Sequence, residues 1–177
     1  MLIADKLVPQ GRGLAAPLLA RAAILVLDWD LRRRSRIEAV DDRGRRIGIF
    51  LARGSVLRGG DVLVAEDGSL LRVQALAQPV LVVTARHAHA LLRAAYHLGN
   101  RHVALELQAQ RLQLEPDPVL AEMLRRQGLE VVEALAPFEP EGGAYGDAAS
   151  GHEHGHGHGH EHDHDHGHGP TQAAGKP

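Results

Sequence analysis

The stretch VLVVTARHAHALLRAAYHLGNRHVALELQ, residues 80–108, carries the pattern that decides the fold. Val80 to Val83 is a continuous apolar run of strand length, and Thr84 behind it is a capping residue for a helix. Ala88, Leu91, Leu92 and Ala95 then repeat at helical spacing until Gly99 stops the helix. Beyond the turn Gly99-Asn100-Arg101, the run His102 to Leu107 reads as strand again. The segment is one β-α-β unit.

Downstream, Arg111 to Leu114 is a further strand, and Asp117-Pro118 supplies an N-cap followed by proline at the first helical position. Leu120, Met123 and Leu124 give that helix its buried face, Gly128 ends it, and Leu129 to Leu135 is the last strand. The order β-α-β-β-α-β predicts a ferredoxin-like domain, two helices on one face of an antiparallel four-stranded sheet. Upstream the period changes. Ala23 to Leu27 is an apolar strand; Arg36–Val40 with Arg46–Leu51, and Asp61–Ala65 with Leu70–Ala75, flank turn-rich tetrapeptides and read as two hairpins. The chain is thus expected to be α+β: a small all-β N-terminal domain over residues 1–77, the ferredoxin-like βαββαβ domain over 78–145, and a tail over 146–177.

The tail is a composition, not a fold. Nine of the thirteen histidines alternate with Gly, Asp and Glu as His152, His154, His156, His158, His160, His162, His164, His166 and His168. Such a segment has no apolar surface to bury, so it is expected to be disordered and metal-binding. Imidazole titrates near a pKa of about 6.5, so at neutral pH most of these nitrogens offer a lone pair suited to Ni, Cu, Zn and Co. Acid should abolish the binding. The chain has no cysteine, which excludes disulfides and thiolate metal cages.

A formal net charge of -2 gives no global field to recruit nucleic acid or a membrane surface. Arg32, Arg33, Arg34 and Arg36 form a local basic cluster whose ordinary reading is a solvated loop or strand edge. Leu14 to Ala20 is apolar but interrupted by Pro17, and no stretch approaches the roughly 20 residues needed to span a bilayer. A cytoplasmic protein is expected.

Four histidines lie in the body. His87 and His89 are two apart on a helix, where they point in different directions and cannot jointly chelate, so they read as surface positions. His97 closes the same helix, a position where histidine commonly meets the helix C-terminus. His102 supplies one ligand, whereas a tightly held divalent ion wants four or more. On residues alone it is either a structural histidine or half of a pair brought together across a homodimer axis, with tail histidines completing the shell.

Catalytic machinery is not evident. No GxxxxGK[ST] cradle exists, the only lysines being Lys6 and Lys176, and neither an HExxH helix nor a nucleophile constellation is present. No catalytic or organic-cofactor residues are assigned. A storage protein for nickel or zinc, and a metal-regulated prolyl isomerase with a His-rich tail, remain the alternatives to a metal carrier.

The run YHLGNRHVALELQ, residues 96–108, closely resembles the signature of the urease accessory protein E family, nickel metallochaperones of urease assembly. RIGIFLARGSVLRGGDVLVAEDG before it, and DPVLAEMLRRQGLEV and PFEPEGGAY after it, resemble that family in the same order. The resemblance implies a homodimer of two-domain chains, with a β-rich peptide-binding-like first domain and a ferredoxin-like second domain that dimerises. It places His102, the histidine of GNRH, on an interfacial Ni(II), with His97 of YHLGNRH as a further candidate. It implies Ni(II) as cargo, with Zn(II) or Cu(II) as competitors, passed to the urease maturation GTPase and other accessory proteins and then to apo-urease. One departure is visible. Where the family often carries accessory histidines in a pattern like HDHVL, this chain reads Glu115-Pro116-Asp117-Pro118-Val119-Leu120, which shifts auxiliary binding to the tail.

Overall fold

Alternation of apolar and polar residues builds two sheets, described over residues 1–142 in a computed structural model. The first comprises β1 (Leu2–Val8), β2 (Ala23–Leu27), β3 (Arg36–Val40), β4 (Arg46–Phe50), β5 (Val62–Ala65) and β6 (Leu70–Ala75), in the order β2-β6-β5-β1-β4-β3. Ala23, Leu25 and Leu27 on β2 point the same way as Leu71 and Val73 on β6 and Ile47 and Ile49 on β4, and close one apolar core. Of the outward residues between them, Ile24, Val26 and Arg72 are at least partly exposed, while Gly48 is buried.

The expected hairpins pair as read: β3 with β4, and β5 with β6, both antiparallel. This half is not all-β, however. Two short helices, α1 (Ala16–Arg21) and α2 (Trp29–Arg32), interrupt it, the second capped by Asp28, whose carboxylate accepts from Leu31 N–H at 2.8 Å. The expectation also left out β1, whose sequence LIADKLV interrupts an apolar run with the exposed charges Asp5 and Lys6, and which pairs β4 on one side and β5 on the other. Among the described residues no helix is long and apolar enough to cross a membrane.

The second sheet contains β7 (Ala77–Thr84), β8 (Leu105–Gln108), β9 (Arg111–Leu114) and β10 (Glu130–Pro137) in the order β10-β7-β9-β8, every pairing antiparallel. Helices α3 (Ala88–Gly99) and α4 (Pro118–Arg126) alternate with the strands along the chain. Leu91, Ala94 and Leu98 of α3, and Ala121 and Leu124 of α4, pack on Leu81, Val83, Leu112 and Leu114. Two details differ from the sequence reading. Thr84 ends β7 and donates to Glu130 rather than capping α3, which starts after His87. Leu92 is not core but 68% exposed, because the α3 stripe runs through residues 91, 94 and 98.

A buried arginine joins the halves. Arg32, expected on a solvated edge, is 0% exposed: its guanidinium donates to the carbonyls of Leu27, Leu57 and Phe138 and, at 2.9 Å, to Glu139 Oε1. Burial pushes its pKa below the ordinary value, and the Glu139 carboxylate pulls it back toward the charged form. The side chain lies over Trp29 at 5.5 Å, and Arg58 lies over the same ring at 5.6 Å. Trp29 meets Phe138 edge to face, with centroids 5.9 Å apart.

At the β3–β4 turn Asp41 accepts from Arg43 N–H, Arg45 N–H and Arg45 Nε at 3.0, 2.8 and 2.7 Å. Burial alone would raise its pKa, but the Arg45 and Arg43 donors outweigh that and hold it below the usual carboxylate value. A lowered folded value stabilises the fold above the unfolded pKa and loses that contribution as the pH falls through the folded one. Asp41→Asn should therefore cost about 1–2 kcal/mol near pH 7, from weaker uncharged hydrogen bonds. Urea unfolding at stepped pH should show the gap between variant and wild type closing as the pH falls below the ordinary carboxylate range.

Candidate metal site at the end of the third helix

The backbone at the end of α3 decides where His102 points. Val103 N–H donates to the Leu98 carbonyl at 3.2 Å and His102 N–H to the Gly99 carbonyl at 2.9 Å. These two bonds form the Schellman motif, which requires a left-handed residue at the position His102 occupies. Its φ is +56°. The apolar residues that accompany the motif are present too: Leu98 is in the core cluster of this domain and Val103 packs against that cluster. His102 therefore sits in a turn rather than opening a strand, and β8 starts three residues later at Leu105.

The same chain ends α4 in the same way. Leu129 N–H donates to Leu124 at 3.2 Å and Gly128 N–H to Arg125 at 2.9 Å, with Gly128 at φ +82°. One helix thus uses glycine where the backbone is left-handed, and the other uses histidine. Left-handed conformation costs an ordinary L-residue roughly 1 kcal/mol, although histidine is among the types enriched there. The imidazole lies outside the core: His102 is exposed, and its turn is flanked by buried Leu98 and half-buried Val103.

His97, one turn earlier, is half-buried; its ring meets Tyr96 edge to face at 5.6 Å, and its carbonyl accepts from Arg101 Nη1 at 3.2 Å. His87 and His89 are exposed near the start of α3. Along α3, Leu92 and Tyr96 stand one helical turn apart, each 68% exposed. This uncovered apolar pair was not recognised from the sequence, where Leu92 was assigned to the buried stripe. The signal that could have exposed it is the conflict between Leu92 and the stripe at residues 91, 94 and 98, which cannot all face one core.

Among the described residues no three His, Asp or Glu side chains converge on a point that could hold an ion. His97 and His102 come from one helix end, and His152, His154, His156, His158, His160, His162, His164, His166 and His168 lie outside the described residues. Asp117, in the stretch where the resembling family often carries accessory histidines and this chain has none, is occupied: its carboxylate accepts from Val119 and Leu120 N–H at 2.8 and 3.0 Å and caps α4.

Comparison with known proteins follows the same division of the chain. The model described as the UreE urease accessory protein N-terminal domain matches residues 4–76, and the corresponding C-terminal domain model matches residues 78–168. The urease accessory protein UreE of Methylibium petroleiphilum is 65% identical over 154 residues, covering 85% of this chain and 71% of its own. That of Paracidovorax citrulli is 61% identical over 156 residues, with 86% and 73% covered, and that of Albidiferax ferrireducens 56% over 157, with 86% and 90%.

Glycine should relieve the strain at the helix end. His102→Gly is expected to raise unfolding stability by about 0.5–1 kcal/mol, and Gly128→Ala to lower it by about 1 kcal/mol, both read by thermal and urea unfolding of the metal-free protein. Loss of stability in His102→Gly would mean that the imidazole itself supports the fold.

Proposed function

The chain belongs to the UreE urease accessory protein family, and on that premise we propose that it is a non-enzymatic Ni(II) carrier serving urease maturation. The observation that carries the proposal is His102: an exposed imidazole held at a left-handed helix cap where the second cap of the same domain uses glycine. A residue kept against backbone preference is kept for its side chain.

One imidazole is one ligand, and a firmly held Ni(II) needs several. A homodimer supplies the second copy, because a two-fold interface sets identical residues face to face. The exposed Leu92–Tyr96 pair on α3, the helix that ends in the His102 turn, supports that interface: a second copy of the same face would cover these apolar side chains. His97, packed on Tyr96, is the further candidate on this face. The strand order β10-β7-β9-β8 supports a ferredoxin-like second domain over 78–145, following a β-rich domain over 1–77 and preceding the His-rich tail over 146–177.

The tail histidines from His152 to His168 collect Ni(II), and the His102 pair receives it. Imidazole sites with few ligands release an ion one bond at a time to an incoming donor, which a closed thiolate cage does not do readily. The acceptors in this reading are the urease maturation GTPase, other accessory proteins and then apo-urease, in the cytoplasm. Neither nucleic acid nor membrane takes part. Intrinsic affinity favours Cu(II) over Ni(II), so Cu(II) and Zn(II) compete and availability selects the cargo.

Titration calorimetry of full-length variants separates the two groups of ligands. His102→Ala should weaken the tightest Ni(II) site at least tenfold and impair urease activation, whereas alanine at the nine tail histidines should chiefly lower the number of ions bound. Moving from pH 7 to pH 5.5 should release most of the nickel, as protonation removes the nitrogen lone pairs. A His102→Ala protein that binds and activates like wild type would refute the assignment. Failure of the nickel-loaded protein to bind the maturation GTPase would favour storage over delivery.

A further inference from the structure

Of the basic run Arg32, Arg33, Arg34 and Arg36, only Arg32 turns inward; the other three stay exposed at the start of β3. Leu51 N–H donates to the Ser35 carbonyl at 2.7 Å and Leu57 N–H to the Arg32 carbonyl at 2.8 Å, which folds the loop after β4 against this corner. A turn closed by Ser55 N–H on the Ala52 carbonyl, with Gly54 at φ +87°, puts exposed Arg53 in the bend of that loop. Arg33 pairs with Asp30, and Arg46 with Glu38. Among the described residues no carboxylate pairs with Arg34, Arg36 or Arg53.

An apolar strip adjoins these cations. β3 is an edge of the first sheet, and Arg36 stands opposite Phe50 on β4, so the two side chains share the outer face. On the same face Gly48 of β4 stands opposite Ile3 of β1. A Cβ at residue 48 would lie 3.0 Å from Phe50 Cε2, 3.1 Å from Ile3 Cδ1 and 3.3 Å from Met1 Cε. The glycine therefore floors a spot where three apolar side chains meet, with Phe50 44% and Met1 69% exposed. On β1 the strip is followed by exposed Asp5, and on β3 it is bordered by the arginines, so the positive charge lies on the β3 side. An aromatic side chain beside unpaired guanidinium groups is the composition in which interface centres are enriched.

We infer that the outer face of β1, β4 and β3 is a docking surface for an acidic segment of a partner protein. An apolar side chain of that segment seats on Phe50, Ile3 and Met1, while its carboxylates meet Arg34, Arg36 and Arg53, whose planar guanidinium groups accept a carboxylate in two-pronged fashion. The net charge of the whole chain is -2 and attracts no acidic partner, so the selection is local. The arginines favour an acidic partner over a basic one. The apolar seat favours a protein over a nucleic-acid backbone, which offers phosphate without an aliphatic side chain. The surface lies wholly in the first domain and contains no histidine, so it works apart from metal binding.

The test reads fluorescence anisotropy of labelled peptides against the full-length chain with no metal added. A short peptide of Glu interspersed with Leu and Phe is compared with two relatives, one carrying Lys for Glu and one carrying Ser for Leu and Phe. Wild type should bind the first peptide about tenfold more tightly than the Lys relative and about fivefold more tightly than the Ser relative. Arg34→Glu/Arg36→Glu/Arg53→Glu should lose about tenfold for the first peptide. Arg12→Glu/Arg86→Glu/Arg93→Glu, the same charge change at exposed arginines elsewhere, should lose less than about twofold. Phe50→Thr should bind the first peptide and the Ser relative within about twofold of each other. Should Phe50→Thr fail to fold, the two arginine triples and the three peptides decide alone. The inference falls if the acidic peptide does not bind, if the Glu and Lys peptides bind alike, or if both arginine triples lose equally. It falls as well if duplex DNA binds as tightly as the acidic peptide with the same dependence on Arg34, Arg36 and Arg53. Dissociation of a dimer by Phe50→Thr or by the Arg34, Arg36 and Arg53 triple in sedimentation would make the face a contact between copies, which also overturns it.

Discussion

A guanidinium with no access to water is the constraint around which the body is arranged. Arg32 belongs to the first domain, but two of its acceptors, the Phe138 carbonyl and Glu139, come after the last strand of the second. Removing either partner leaves a charge or several carbonyls buried without satisfaction, which typically costs a few kcal/mol. Trp29, Phe138 and Val80 seal the same junction with apolar area. Polar specificity and apolar burial thus act on one segment, and that segment leads directly into the histidine-rich end of the chain.

The second constraint is local. A helix that ends in a Schellman motif must place one residue in left-handed conformation, and in α3 that residue is His102. Leu98 and Val103 anchor the turn in the core from either side, so the imidazole is presented outward from a rigid base rather than from a loose loop. In the proposed carrier, such rigid presentation would suit a site completed by a second chain and by tethered donors. The uncovered Leu92 and Tyr96 lie on the same helix, one turn apart.

Much of this was legible from residues alone, where a local signal and the global fold agree. Asp117-Pro118 and Gly128 marked both ends of α4, and alternation with turn residues located β2, β3 and β6 residue for residue. The illegible parts depend on long-range partners. Arg32 resembles its solvated neighbours Arg33 and Arg34 until Glu139, over a hundred residues away, is folded against it. β1 is central only because β4 and β5 flank it. His102 reads as the start of a strand because VALELQ follows it, and only the hydrogen bonds to Gly99 and Leu98 reveal a cap. The GNRH motif lies on this turn, and the comparisons place the chain in the family over residues 4–76 and 78–168.

The central claim is that two copies of His102 meet on one nickel ion. Anomalous scattering at the nickel edge, from crystals of the full-length protein grown with Ni(II) at neutral pH, addresses it without reference to affinity or activity. The account predicts a peak on a two-fold axis within bonding distance of both His102 imidazoles, with Leu92 and Tyr96 covered by the second copy. Nickel peaks confined to other positions, with the two His102 side chains far apart, would contradict it.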